Sequence, residues 1–80
     1  MIEIFTTRLC GDCIRTKDFL KENDIDFNEI IISGNQEAIS KVIEINQGNA
    51  SVPTIIFEDG TTLTEPSNQE LAEKLGLKFS

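Results

Sequence analysis

Apolar and polar positions alternate through Ile2-Glu3-Ile4-Phe5-Thr6, with β-branched residues prominent, so the chain is predicted to open on a strand. Thr7 to Cys10 form a short connection, and residues 11–22 favour a helix. That helix carries Ile14, Phe19 and Leu20 among its apolar positions, and Asn23-Asp24 supplies its stop signal. Residues 25–32 contain a second strand, centred on Phe27–Ile31, and Ser33-Gly34-Asn35 reads as a turn and a cap. Ala38, Ile39, Val42, Ile43 and Ile45 then share one broad face at helical spacing, and Gln47-Gly48-Asn49 ends that helix. Thr54-Ile55-Ile56-Phe57 is short and almost wholly apolar, the pattern of a strand inside a sheet. Glu58-Asp59-Gly60 is a hairpin signal, with residues 61–64 as the returning strand. Ser67 caps a last helix that runs to Leu75; Glu70 completes a capping box, and Gly76 suits the C-cap.

The predicted order is βαβαββα. A β-α-β start implies a parallel pair with a right-handed crossover, and the hairpin adds antiparallel strands. The expected architecture is α/β, a mixed sheet with helices packed on it. The chain has 80 residues without repeats, linkers or low-complexity stretches, so residues 1–80 are expected to form one domain. A domain of this size buries only about 60% of the surface its unfolded chain exposes, so the core must be economical.

Composition narrows the function more than the fold. The net charge is −7, from 14 acids against 7 bases. Such a surface repels phosphates and anionic lipid, which argues against a general nucleic-acid role; it serves solubility, or steers a basic partner face. No apolar run approaches the roughly 20 residues of a membrane span. The start Met1-Ile2-Glu3-Ile4-Phe5 is too short and too acidic for a signal peptide. A cytoplasmic, monomeric protein is expected, with no membrane partner.

Two cysteines, Cys10 and Cys13, remain as the candidate chemistry. In a cytosolic chain, that spacing points to redox or metal chemistry rather than a structural staple. A disulfide closing so short a loop adds little stability. A complete zinc site normally needs four Cys or His ligands, and the chain has two cysteines and no histidine. A cluster shared across a dimer is the metal alternative that stays open.

Cys10 falls where the first strand gives way to the first helix. The free N–H groups and dipole of a helix start stabilise an anion there, and a thiolate is that anion. Cysteine pKa values in such settings fall from about 8.5 to as low as about 3.5, which arms the sulfur for attack on a disulfide. Cys13 lies almost one turn further on, within disulfide reach. It is expected to be more buried and less acidic, able to resolve a mixed disulfide formed on Cys10. Gly11 is expected to let the chain bend tightly and to leave Cys10 open. Arg8 is a candidate to support the thiolate or to bind a substrate carboxylate, or else is a solvated loop charge. Asp12 opposes the thiolate by like charge, yet suits a first helical turn.

Ser51-Val52-Pro53-Thr54 precedes the apolar strand. Proline cannot donate to a ladder and fits a strand start, with its X–Pro bond trans or cis. A cis bond would turn the Val52 N–H and C=O outward, where an extended thiol substrate could pair with them like an added strand.

With these residues in view, the chain resembles the glutaredoxin family. The resemblance is carried by Thr6-Thr7-Arg8-Leu9-Cys10-Gly11-Asp12-Cys13, Asn46-Gln47-Gly48-Asn49, Ser51-Val52-Pro53-Thr54 and Asp59-Gly60-Thr61-Thr62-Leu63-Thr64-Glu65-Pro66-Ser67. Within the thioredoxin superfamily it is most similar to mycoredoxin-type proteins, which carry a CGYC site, an N-x-G-N run, TVPT and a DGSTLTNPS-like segment. The resemblance implies a thioredoxin/glutaredoxin fold with a four-stranded mixed sheet flanked by three helices. It implies a cis Pro53, Cys10 as nucleophile, Cys13 as resolving thiol and Val52 as backbone docking residue. Thr64, Glu65, Pro66 and Ser67 would contact a low-molecular-weight thiol, the co-substrate, with no bound cofactor.

Two positions depart from the family pattern. Asp12 stands where an aromatic is usual, removing a stacking wall and adding charge. Glu65-Pro66-Ser67 replaces the glycine pair and acid common in glutathione-using members, and Glu65 would repel a substrate carboxylate. The leading expectation is a reductase of protein or small-thiol mixed disulfides. The alternative is a protein-disulfide reductase fed by a flavoprotein disulfide reductase, and the third is an iron–sulfur or metal carrier.

Overall fold

The structure, a computed structural model, describes residues 1–78. Its elements are β1 (Ile2–Thr6), α1 (Gly11–Glu22), β2 (Phe27–Ile31), α2 (Gln36–Ile45), β3 (Thr54–Ile56), β4 (Thr62–Thr64) and α3 (Asn68–Leu75). The strands form one sheet in the order β2-β1-β3-β4. β1 pairs parallel with β2, and β3 is antiparallel to both β1 and β4. This is the expected α/β architecture, a four-stranded mixed sheet with three helices.

Alternation along β1 sorts the core onto two faces. Ile2 and Ile4 cluster with Ile55, Phe57 and Leu71, with Phe19 of α1 and Leu75 of α3 packed alongside. Phe5 points the other way and packs with Ile32, Ala38 and Val42, so α2 covers that face alone. The central strand β1 is therefore buried on both sides, while Ile31 at the β2 edge is 41% exposed.

The helix termini follow the local chemistry. Asn35 caps α2 by accepting from the Ala38 N–H at 3.2 Å. Ser67 and Glu70 form the capping box of α3, each side chain accepting from the other's backbone N–H. Gly76 ends α3 in the left-handed region at φ 70°, where a side chain would be strained.

Three details differ from the sequence expectation. Phe57 lies one residue beyond β3, because its N–H donates to the Thr61 carbonyl and its own carbonyl accepts from Gly60 in the turn. The inner stripe of α1 is Cys13, Thr16 and Leu20, which leaves Ile14 55% exposed. Gly11 lies outside the left-handed region, and a Cβ built on it would meet nothing within 4 Å, so no tight bend depends on it.

The register decides where function can sit. Phe5 pairs with Thr54, and Thr54 pairs with Thr64. The segment after β1, the segment before β3 and the segment after β4 therefore emerge at one end of the sheet. Those segments hold Cys10, Val52-Pro53 and residues 65–67.

Candidate active site around Cys10 and Cys13

Cys10 is the N-cap of α1, extended at φ −143° and ψ 104°. Its sulfur accepts the Cys13 N–H at 3.0 Å, the bond an oxygen makes at an ordinary N-cap. The two cysteines form a disulfide, with Cα atoms 5.2 Å apart. They are not equivalent: Cys10 is half-buried, whereas Cys13 is 1% exposed on the inner face of the helix. The spacing thus places a half-buried cysteine at the helix start and a buried one behind it.

The Val52–Pro53 bond is cis, and Pro53 is buried while Val52 is half-buried. The Pro53 carbonyl accepts from the Glu65 N–H at 2.8 Å, joining the two loops beside the cysteines. Glu65 takes φ 49°, a left-handed conformation unusual for a side-chain-bearing residue. Asn46, the C-cap of α2, reaches into the same region. Its Nδ2 donates to Thr54 Oγ1 at 3.0 Å, and its Oδ1 accepts from the Thr64 hydroxyl. Thr54 Oγ1 in turn donates to the Ser51 carbonyl at 2.7 Å. The Thr64 hydroxyl, expected at the small thiol, is thereby engaged within the protein.

Arg15 bridges the redox helix to the loop before α3. Its Nη1 donates to Asn68 Oδ1 at 2.5 Å and its Nη2 to the Pro66 carbonyl at 2.9 Å. Its Nε lies 3.8 Å from the Asp12 carboxylate, offsetting part of the negative charge beside Cys10. Arg8 is exposed and makes no hydrogen bond or ion pair among the described residues. Asp12, Arg15, Glu65, Ser67 and Glu70 line an open cleft of about 430 Å³ next to the cysteines. A larger hollow of about 640 Å³ lies between α2 and the hairpin, lined by Ser40, Glu44, Ile56 and Thr62, away from the sulfurs. Leu9, at 98% exposed, and Ile14 flank the pair in sequence as solvent-facing apolar groups.

A family model described as glutaredoxin matches residues 2–61, a stretch that spans β1 through the β3–β4 turn and includes both cysteines and Pro53. The chain belongs to the glutaredoxin family. It is a glutaredoxin-like thiol–disulfide oxidoreductase built on the Cys10–Cys13 pair. A glutaredoxin of Mycobacterium tuberculosis is 45% identical over 74 residues, covering 92% of this chain and 88% of that protein. Mycoredoxin 1 of Corynebacterium glutamicum is 32% identical over 75 residues, covering 92% and 91%. The crystal structure of a glutaredoxin from Archaeoglobus fulgidus superposes with a TM-score of 0.78 at 28% identity, covering 92% of this chain and 84% of that one. Among the described residues of this glutaredoxin-family protein, no helix is long and apolar enough to cross a membrane.

Nothing local marks Arg15 as a site-building residue, and Asn46 and Thr54 stand out in the sequence only as members of their four-residue runs. A basic residue on a helix reads as a solvated charge, and only the fold brings Asn68 to it.

Proposed function

We propose that this protein reduces mixed disulfides between proteins and a small thiol in the reducing cytoplasm, acting as a single glutaredoxin-like domain. Cys10 is the nucleophile. The observation that carries this assignment is the Cys13 N–H donated to the Cys10 sulfur at the start of α1, while Cys13 itself is buried. That N–H and the helix terminus favour the Cys10 thiolate in the reduced protein.

The thiolate attacks the small-thiol sulfur of the mixed disulfide. A Cys10–small-thiol disulfide forms, and the client protein leaves as a thiolate that takes up a proton. A second small thiol, as its thiolate, then attacks the small-thiol sulfur of this intermediate, releases the oxidised small disulfide and restores Cys10. Alternatively Cys13 attacks Cys10 Sγ, expels the small thiol and closes the Cys10–Cys13 disulfide. Val52 docks the substrate backbone beside Pro53, and residues 65–67 bound the small thiol with the N-terminus of α3. Glu65 disfavours a carboxylate there, so glutathione is a poor fit.

The test is turnover of a protein–small-thiol mixed disulfide by wild type, Cys10→Ser and Cys13→Ser. Cys13→Ser retains activity because the route needs Cys10 alone, and Cys10→Ser is inactive. Complete loss in Cys13→Ser would overturn the proposal.

The exposed Leu9 and Ile14 support a second reading, in which the partners are proteins on both sides of the cycle. A flavoprotein disulfide reductase would then feed electrons to the pair. Rapid reduction by such an enzyme, with no turnover by small thiols, would favour this reading over the first.

A further inference from the structure

Three threonine side chains are fully buried, Thr6, Thr16 and Thr54. Thr6 donates to Glu29 Oε2 and Thr54 to the Ser51 carbonyl, each at 2.7 Å. Thr16 is 0% exposed, yet its Oγ1 has no hydrogen-bond partner among the described residues. A buried hydroxyl without a partner is costly, so its position calls for an explanation.

Thr16 follows Cys13 by three residues on the inner stripe of α1. Helical side chains tilt toward the N-terminus, so a residue covers the turn that precedes its own Cα. The turn that Thr16 covers is the one holding Cys13. In the disulfide form the Cys13 sulfur is bonded to Cys10 and is a feeble acceptor. A thiol is a better one, and a thiolate better still.

We propose that Thr16 is a hydrogen-bond donor to Cys13 Sγ in the reduced protein, a contact absent from the disulfide form. Reduction breaks the Cys10–Cys13 bond. The pair takes two electrons and two protons from a dithiol, which closes to its own disulfide. A contact made only after that step favours the reduced form, and so makes the cysteine pair more oxidising. The same donor stabilises the Cys13 thiolate that attacks Cys10 Sγ when the protein resolves its mixed disulfide. The inference rests on thiol–disulfide exchange at this pair, but on no particular small thiol or client. An equilibrium with dithiothreitol therefore tests it even where the turnover assay fails.

Wild type, Thr16→Val, Thr16→Ala and Thr16→Ser are equilibrated with reduced and oxidised dithiothreitol, and the disulfide fraction is read by thiol trapping. Both hydroxyl-free variants should shift the equilibrium about tenfold toward the disulfide, about 30 mV more reducing, while Thr16→Ser stays near wild type. Thermal unfolding of the two redox forms supplies a second readout: Thr16→Val should raise the melting temperature of the oxidised form relative to that of the reduced form. An unchanged equilibrium in Thr16→Val and Thr16→Ala, or equal melting shifts in both redox forms, would overturn the proposal.

Discussion

The two ends of the sheet are both fastened by polar side chains, but the fastenings do different jobs. At the redox end, Arg15 ties α1 to the loop before α3, and Asn46 ties α2 to Thr54 and Thr64. All but the exposed Asn46–Thr64 bond are partly buried, and together they hold three separate segments around the cysteines. At the opposite end, Lys74 of α3 pairs with Asp59 of the hairpin turn at 2.8 Å and lies over the Phe57 ring. That pair is largely exposed and joins a turn to a helix that the core already holds. Polar contacts of similar length should therefore differ in consequence, because one set defines the shape of a site and the other decorates a packed interface.

The sharpest test of that contrast is Arg15→Met. It leaves the Pro66 carbonyl and Asn68 Oδ1 without their donor, and bonds to a charged group contribute more than neutral ones. The expected loss is about 1–2 kcal/mol, or a melting temperature lower by roughly 4–16 °C for a chain of this size. Steady-state assays should show a raised KM for the mixed disulfide, since the loop bounding the substrate loses its tether. Arg15→Lys should recover only part of both, because an ammonium cannot reproduce the guanidinium fork. If Arg15→Met melts like wild type, the redox end is not held in the way argued.

The same contrast explains what could be read in advance. Element order, strand pairing and the capping box follow from alternation, helical spacing and cap residues, and each depends on neighbours in sequence. The pattern misleads where geometry overrides it. Ile14 looks like a core position, but α1 turns Cys13, Thr16 and Leu20 inward and Ile14 out. Phe57 looks like strand, but the turn takes its backbone groups. The cysteine pair is legible because its chemistry is local. Arg15 and Asn68 are 53 residues apart, and nothing in either neighbourhood announces the other. Asn46 and Thr64 meet only because β4 returns beside β3. Residues that shape a site from a distance are visible only once the register is known.

A smaller effect should separate binding from stability at the redox end. Glu65 is exposed, and its backbone N–H, not its carboxylate, makes the bond to Pro53. Glu65→Gln should therefore leave the melting temperature near that of wild type. It should lower KM severalfold for a small thiol that carries a carboxylate, by removing like-charge repulsion, with little change for an uncharged thiol. Equal effects on both thiols would remove Glu65 as a selectivity element.

The smallest effect belongs to the far end, and its signature is pH. The Lys74 ammonium, then the Thr61 hydroxyl and N–H, hold the Asp59 carboxyl well below the ordinary carboxylate range. A carboxyl depressed on folding contributes stability that is present above its unfolded pKa of about 3.8 and is lost as pH falls further. Asp59→Asn should therefore be slightly less stable than wild type at neutral pH, by clearly less than Arg15→Met, because exposed ion pairs are weak. The gap between wild type and Asp59→Asn should narrow as melting is followed from pH 5 down to about pH 2, and should shrink at high salt. Glu29 carries a depressed carboxyl too, first through the Lys17 ammonium and then the Thr6 hydroxyl, so wild type and Asp59→Asn both lose that contribution in acid. What distinguishes the far end is the difference between the two melting curves, not the slope of either. A gap that stayed constant from pH 5 to about pH 2 would mean that folding does not favour the ionised Asp59 carboxyl, through Lys74 or through Thr61.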